Sequence, residues 1–187
     1  MVLFKRISIL FIMGITVVFI FLPDNSEAAT YKAGDIFITK TSSAKGLTGH
    51  TGIAISSTEI AHTSGRSSEP YPTTISISEW NSRYPETKVI RPNSSSLGEE
   101  AAEKASHYFV GENIDYWITS NPKDIDPYTY CSELVWYSYY KAGKEFEVIG
   151  SNSNGLFWKT PGIIEPYDFT KSNYVEHNGF TFIDNSW

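Results

Sequence analysis

The sequence predicts a single α+β domain in which an antiparallel sheet of about five or six strands, partly barrel-like, packs beside two helices. Three observations predict it. Strand-like runs fill the first half of the chain, helical signals replace them near residue 94, and a second helix opens at the chain's one cysteine, Cys131.

The chain begins "MVLFKRISILFIMGITVVFIFLPDNSEAAT": Lys5 and Arg6 precede an apolar run from Ile7 to Leu22, and Pro23 leads to small residues around Ser26 and Ala28. This is the pattern of a signal peptide over residues 1–28, and the other reading of the same run is a single membrane anchor. Cleavage leaves residues 29–187, about 160 in number, enough for one domain with a sizeable core and too few for two. The predicted location is secreted, extracellular or cell-wall associated, with no stable membrane anchor after cleavage.

Fifteen Lys and Arg stand against 21 Asp and Glu, a formal charge of −6. An acidic surface disfavours phosphate backbones, so no nucleic-acid partner is predicted. Aromatic residues make up 15% of the chain, which suits a core with polar edges or a groove for an extended substrate. With one cysteine no internal disulfide forms, and stability must come from packing.

Each element follows from local pattern. "GDIFITKTSS" sets Ile36 and Ile38 against Phe37 and Thr39, the alternation of a strand. "KTSSAKGLTG" is a polar, Gly-containing loop, and "HTGIAISSTEIAHTSG" holds two β-like runs around Ser56-Ser57-Thr58. "SSSLGEEAAEKASHYFVG" then reads as a helix with Ser caps, Glu99 and Glu100 in its first turn, and Gly111 as its stop. In "DPYTYCSELVWYSYYKAG", Pro127 and the Tyr-Thr-Tyr run bar a helix from extending backward, so Cys131 falls in its first turn. Cys131, Leu134, Val135, Ser138 and Ala142 share one face of that helix. Beyond it the chain reads as loop and short strand, because Pro161 and Pro166 limit helices.

Chemistry concentrates at Cys131. Unpaired N–H groups and the dipole at a helix start favour a thiolate and a lowered pKa, whereas a free cysteine buried for packing is the other reading. The histidines add a second signal. His50 shares a strand face with Gly52 and Ala54, small residues that leave room beside an imidazole, although a buried and satisfied core histidine has the same pattern. His62 lies twelve positions on. An odd-numbered connection puts it on the face of His50, and a two-residue turn puts it on the other. His107 and His177 lie among polar residues and receive no role.

The series "GDIFITKT", "GHTGIAIS…EIAHTSG" and "GENIDYW…YTYCSELVWYSYYKAG" resembles the circularly permuted branch of the NlpC-like papain-fold cysteine hydrolases, the YiiX- and YycO-like proteins, with lecithin:retinol acyltransferase a more distant relative. The resemblance runs from about Tyr31 to about Asp168, with "YCSELV" its most specific block. It implies a permuted, papain-like fold in which the His strands precede the Cys helix. It further implies Cys131 as nucleophile, His50 as general base and His62 as the third polar group, with Glu59 and Glu69 as carboxylate alternatives to His62. Tyr130 and Tyr116 would line the substrate groove. The implied activity is a cysteine peptidase or amidase acting on peptide or cell-wall-derived substrates. A lipid acyl hydrolase or acyltransferase with the same triad, and a non-catalytic peptide binder, are the alternatives. No cofactor is implied, and no metal, because one Cys and two His without close ligand spacing make an incomplete set.

Overall fold

The computed structural model describes residues 30–44, 47–185 and 187, so the predicted signal segment lies outside the described residues. Among those residues no helix is long and apolar enough to cross a membrane.

Four strands come first: β1 (Ile36–Ala44), β2 (Leu47–Ala54), β3 (Glu59–His62) and β4 (Thr73–Ser76). Helix α1 (Ile77–Arg83), β5 (Thr87–Pro92) and α2 (Ser95–Tyr108) follow. Ser76 and Ser94 cap the two helices by accepting the backbone N–H of Glu79 and Leu97, satisfying donors that a first turn otherwise leaves unpaired. A short parallel pair, β6 (Asp115–Tyr116) and β7 (Tyr128–Thr129), precedes α3 (Cys131–Lys141). The hairpin β8 (Val148–Asn152) and β9 (Gly155–Lys159), a 3-10 turn at Pro166–Thr170, α4 (Ser172–His177) and β10 (Phe180–Asn185) complete the chain.

The α+β class holds, with a main sheet of six antiparallel strands ordered β10-β5-β1-β2-β3-β4. The sheet, expected to be partly barrel-like, is open. Its edges are β10 and β4, and the chain leaves β4 directly into α1, which covers a sheet face instead of completing a ring. The C-terminal tail holds the expected short strand, and adds the short helix α4 where loop was expected. Phe180 is buried against Tyr139 and Phe146, and that contact lays β10 alongside β5 as the sixth strand.

Strand alternation divides the apolar residues between two faces. Ile36, Ile38, Ile53 and Ile90 point toward α2 and α3 and form the larger core with Leu134, Val135, Trp136 and Phe109. Phe37, Ala54, Ile60, Ile75 and Val89 point the other way and are covered by Ile77 and Trp80 of α1 and by Tyr84. Helix α3 is a buried helix, as the sequence predicts, enclosed from Cys131 to Tyr139 because α2, the sheet and the 160s loop surround it.

Four hydrogen bonds anchor α3, three of them at its start. Tyr139 donates its hydroxyl to the carbonyl of Gly34, just before β1. Ser132 donates to the carbonyl of Ile164 at 2.7 Å, and the Ile164 N–H donates to the Tyr130 hydroxyl at 3.0 Å. The Thr119 hydroxyl donates to the fully buried Glu133 carboxyl at 2.9 Å, tying the segment after β6 to the first turn of the helix. Burial pushes Glu133 up to about 8, against the hydrogen bond from Thr119, which pulls the other way.

Gly34 has φ +89° and lies against the backbone of Gly98 in α2, so a side chain there meets both a left-handed conformation and Gly98 Cα. Gly34→Ala is expected to cost about 2–4 kcal/mol through strain and overpacking, read from chemical denaturation. Folding raises the Glu133 pKa above the ordinary 4.5, so the folded state binds more protons than the unfolded between 4.5 and about 8. Stability from this group is complete below that window and falls as pH rises through it, by at most about 1.4 kcal/mol per pH unit. Glu133→Gln, measured by thermal melts from acid to alkaline pH, is therefore expected to gain on the parent as pH rises.

Candidate functional site

Tyr130 has extended backbone (φ −138°, ψ 167°) and serves as the N-cap of α3, so Cys131 is the first helical residue, as the sequence predicts. Its sulfur is fully buried. The Tyr116 hydroxyl lies 3.9 Å from Sγ, and the backbone N–H of Thr51 in β2 also points at it. The thiol pKa, expected to fall at the helix start, is raised instead. Desolvation of a buried thiolate outweighs the Thr51 and Tyr116 hydrogen bonds that would hold it. At rest the group is a neutral thiol.

Thr51 directly follows His50 in β2, so Cys131 meets the strand one residue from His50, while alternation turns the His50 side chain to the other face, toward Trp80 of α1. Gly52 pairs with His62 and Ala54 with Ile60, leaving residues 55–59 as an odd-numbered connection. The two histidines therefore share a face, and His50 Nε2 lies 3.0 Å from His62 Nδ1. Both are about 1% exposed. His50 stacks on Trp80 at 5.3 Å and 18°, with Tyr84 at 5.3 Å, while Trp80 meets His62 edge-on at 5.8 Å. Gly52 makes this possible, since a Cβ there would lie 2.5 Å from the Ile60 side chain and 3.1 Å from the Trp80 ring.

This enclosure controls protonation. Burial lowers His50 well below the ordinary histidine range, with the charge of His62 and then of Arg66 and Arg83 acting in the same direction. Burial also lowers His62 to about 4, with Glu69 opposing and Arg83 and Arg66 assisting. Both rings are neutral near pH 7. Only one proton lies between the two facing nitrogens, so one ring donates and the other accepts. His50 Nδ1 and His62 Nε2, the outward nitrogens, are buried without a hydrogen-bond partner among the described residues.

The other sequence candidates fall into place around this pair. Tyr116 reaches the sulfur. Tyr130 is fully buried with its hydroxyl engaged by Ile164, so it braces the wall of the site from behind. Glu59 is exposed at the start of β3 and paired opposite Ser76. Glu69 stands near His62 and is bound to Arg83 at 2.7 Å. His107 packs against Tyr108, and His177 stacks on Trp158 at 3.6 Å beside Glu147. Sequence reasoning missed Thr51, Trp80, Tyr84 and Glu133. Thr51 had a signal, as the neighbour of His50 on the alternate face. Trp80 and Tyr84 lie on an element whose packing partner only the folded sheet reveals.

A fully buried thiol and a neutral imidazole pair one strand position apart are residue types that nucleophilic catalysis uses. No solved structure matches the chain. A curated relative, an uncharacterized 30.3 kDa protein of Bacillus thuringiensis, is 31% identical over 150 residues, which is 74% of this chain and 52% of the relative, so the chain spans about half the length of the relative it matches. The family described as lipoprotein N-acylation protein LnsA-like matches residues 4–183. With its match running over nearly the whole chain, this protein belongs to the LnsA-like lipoprotein N-acylation family.

Proposed function

We propose that the chain is a thiol-dependent acyltransferase that moves an acyl group from a lipid ester to an amine, with Cys131 as nucleophile, His50 as base and His62 as the residue that orients His50. The lipid-acyl alternative, not the cell-wall amidase, is the reading that the family favours. The observations that carry it are the buried His50–His62 bond and a buried thiol faced by the N–H of Thr51, the residue after His50. The arrangement is read as permuted and papain-like, because the strands bearing His50 and His62 precede the helix bearing Cys131.

The chemistry follows from the protonation states. His50 Nδ1 takes the thiol proton as sulfur attacks the ester carbonyl, and Nε2–H donates to His62 Nδ1, which favours the imidazolium that forms. Backbone N–H groups at the α3 start and the Tyr116 hydroxyl are available to the oxyanion. The ester C–O bond breaks, the alcohol leaves with the proton from His50, and an S-acyl cysteine remains. An amine then attacks that thioester and loses its proton to His50, and the regenerated thiolate is reprotonated from His50 as the N-acyl product leaves.

The surroundings suit an apolar acyl chain. Trp117, next to Tyr116, is 63% exposed, and Ile163, next to Ile164, is 45% exposed. Their two segments touch, since the Ser120 carbonyl lies 3.5 Å from where a Cβ on Gly162 would sit. Tyr128, 41% exposed, adds a third large side chain two residues before the helix cap. Large apolar groups beside a buried nucleophile accommodate lipid better than a charged peptide. We further propose that the chain is exported and meets both substrates at the outer membrane–water boundary, an amine-bearing lipopeptide being the acceptor class.

Incubation with phosphatidylglycerol vesicles should add one acyl mass to Cys131, removable by hydroxylamine and transferred to a diacylated lipopeptide with a free amine. His50→Ala should slow adduct formation by roughly 10²–10⁴-fold. Intact-protein mass spectrometry reads both. Cleavage of muropeptides, with no acyl adduct from lipid, would replace this reading with the amidase.

A further inference from the structure

The neutral His50–His62 pair has two possible tautomer arrangements, and only one leaves His50 able to accept a proton from the thiol. If Nε2 of His50 donates, Nδ1 of His50 carries a lone pair, and His62 must accept through its own Nδ1. A neutral His62 is then protonated at Nε2. That N–H needs an acceptor, yet Nε2 of His62 is buried with no hydrogen-bond partner among the described residues. In the opposite arrangement His62 donates from Nδ1, His50 carries its proton on Nδ1, and the base is disabled. Nothing within the pair itself selects between the two.

A second unpartnered atom lies nearby. Glu69 Oε2 is also buried without a hydrogen bond, while Oε1 of the same carboxylate is held by Arg83 Nη1 at 2.7 Å. Arg83 is in turn bonded to Glu79 at 2.5 Å, and the Glu69 N–H donates to the Arg66 carbonyl at 2.9 Å, so the carboxylate is fixed from both ends. Among the charges acting on His62, Glu69 has the largest effect and the opposite sign to Arg66 and Arg83. The Ser64 hydroxyl also leans on Glu69.

We propose that Glu69 is a positioning residue of the site: it accepts the Nε2 proton of His62 through one bridging water, and thereby locks the tautomer in which His50 presents a basic Nδ1. The series is then Cys131, His50, His62, Glu69, with Arg83 holding the last member. This rests on the acyl-transfer reading only for its consequence, because the tautomer exists without substrate. Glu69 is not the third group in place of His62, since His62 already fills that position at 3.0 Å. It acts one step behind.

The test is long-range ¹H–¹⁵N correlation NMR of the imidazoles in the purified protein near neutral pH, with His62 assigned from His62→Asn. The proposal expects His62 protonated at Nε2 in the parent and in Glu69→Gln, which keeps an oxygen acceptor. Glu69→Ala should show the other tautomer or a mixture, and iodoacetamide should alkylate Cys131 about tenfold or more slowly. Arg83→Met separates tautomer control from a merely structural ion pair: it breaks the Arg83 bond but keeps the carboxylate, so His62 should stay protonated at Nε2. A parent His62 protonated at Nδ1, a Glu69→Ala spectrum like the parent's, or an Arg83→Met spectrum like that of Glu69→Ala would each overturn the proposal. Should Glu69→Ala fail to fold, the parent and Arg83→Met spectra still decide it. Failure of lipid to load Cys131 would remove the acyl-transfer reading and leave these outcomes as they are.

Discussion

The bond between His50 Nε2 and His62 Nδ1 is the constraint around which the site is built, because it requires two polar rings to lie together in an apolar setting. A buried imidazole without a partner costs about 1–3 kcal/mol, and a charged one more. The fold meets this demand by register and by cover. Pairing of Gly52 with His62 brings the rings to one face, and absence of a side chain at Gly52 lets Trp80 stack over His50. Helix α1 carries Trp80 and Arg83, so one element covers the pair and anchors Glu69. Protonation of either ring within this enclosure opposes folding. Both pKa values are depressed, so stability from the pair is present above the ordinary histidine value of 6.5 and is lost as pH falls toward the folded values, about 4 for His62.

The same burial determines the state of the nucleophile. A helix start favours a thiolate by a fraction of a charge, whereas moving a full negative charge out of water costs several kcal/mol, and the second effect wins at Cys131. Resting thiol and resting imidazole are therefore both neutral. In the proposed reaction charge separates only during attack, when the Thr51 N–H, the Tyr116 hydroxyl and the His50–His62 bond would stabilise it. A neutral resting site also resists stray oxidation, to which thiolates are the more exposed.

Much of this was legible in the sequence, where the signal was local. Pro127 and the tyrosines placed Cys131 at a helix start, and the step from His50 to His62 reduced their relation to one question of parity. The features that escaped depend on contacts between distant segments. Trp80 covers His50 across thirty positions, β10 joins β5 through Phe180, and Glu133 takes its partner from a segment fourteen residues earlier. The direction of the Cys131 pKa escaped for the same reason, since a helix start is visible in sequence and the packing that dehydrates the sulfur is not. The openness of the sheet was not legible either, because alternation marks strands without saying which of them become edges.

The central claim is that Cys131 waits as a neutral thiol and gives its proton to His50 only on attack. Ultraviolet absorbance of the thiolate, followed against pH as the difference between the parent and Cys131→Ser, tests it most directly. The account predicts no thiolate band at neutral pH, with one appearing only above the ordinary thiol range. A thiolate band present at neutral pH and lost on acidification would show a standing thiolate–imidazolium pair and contradict it.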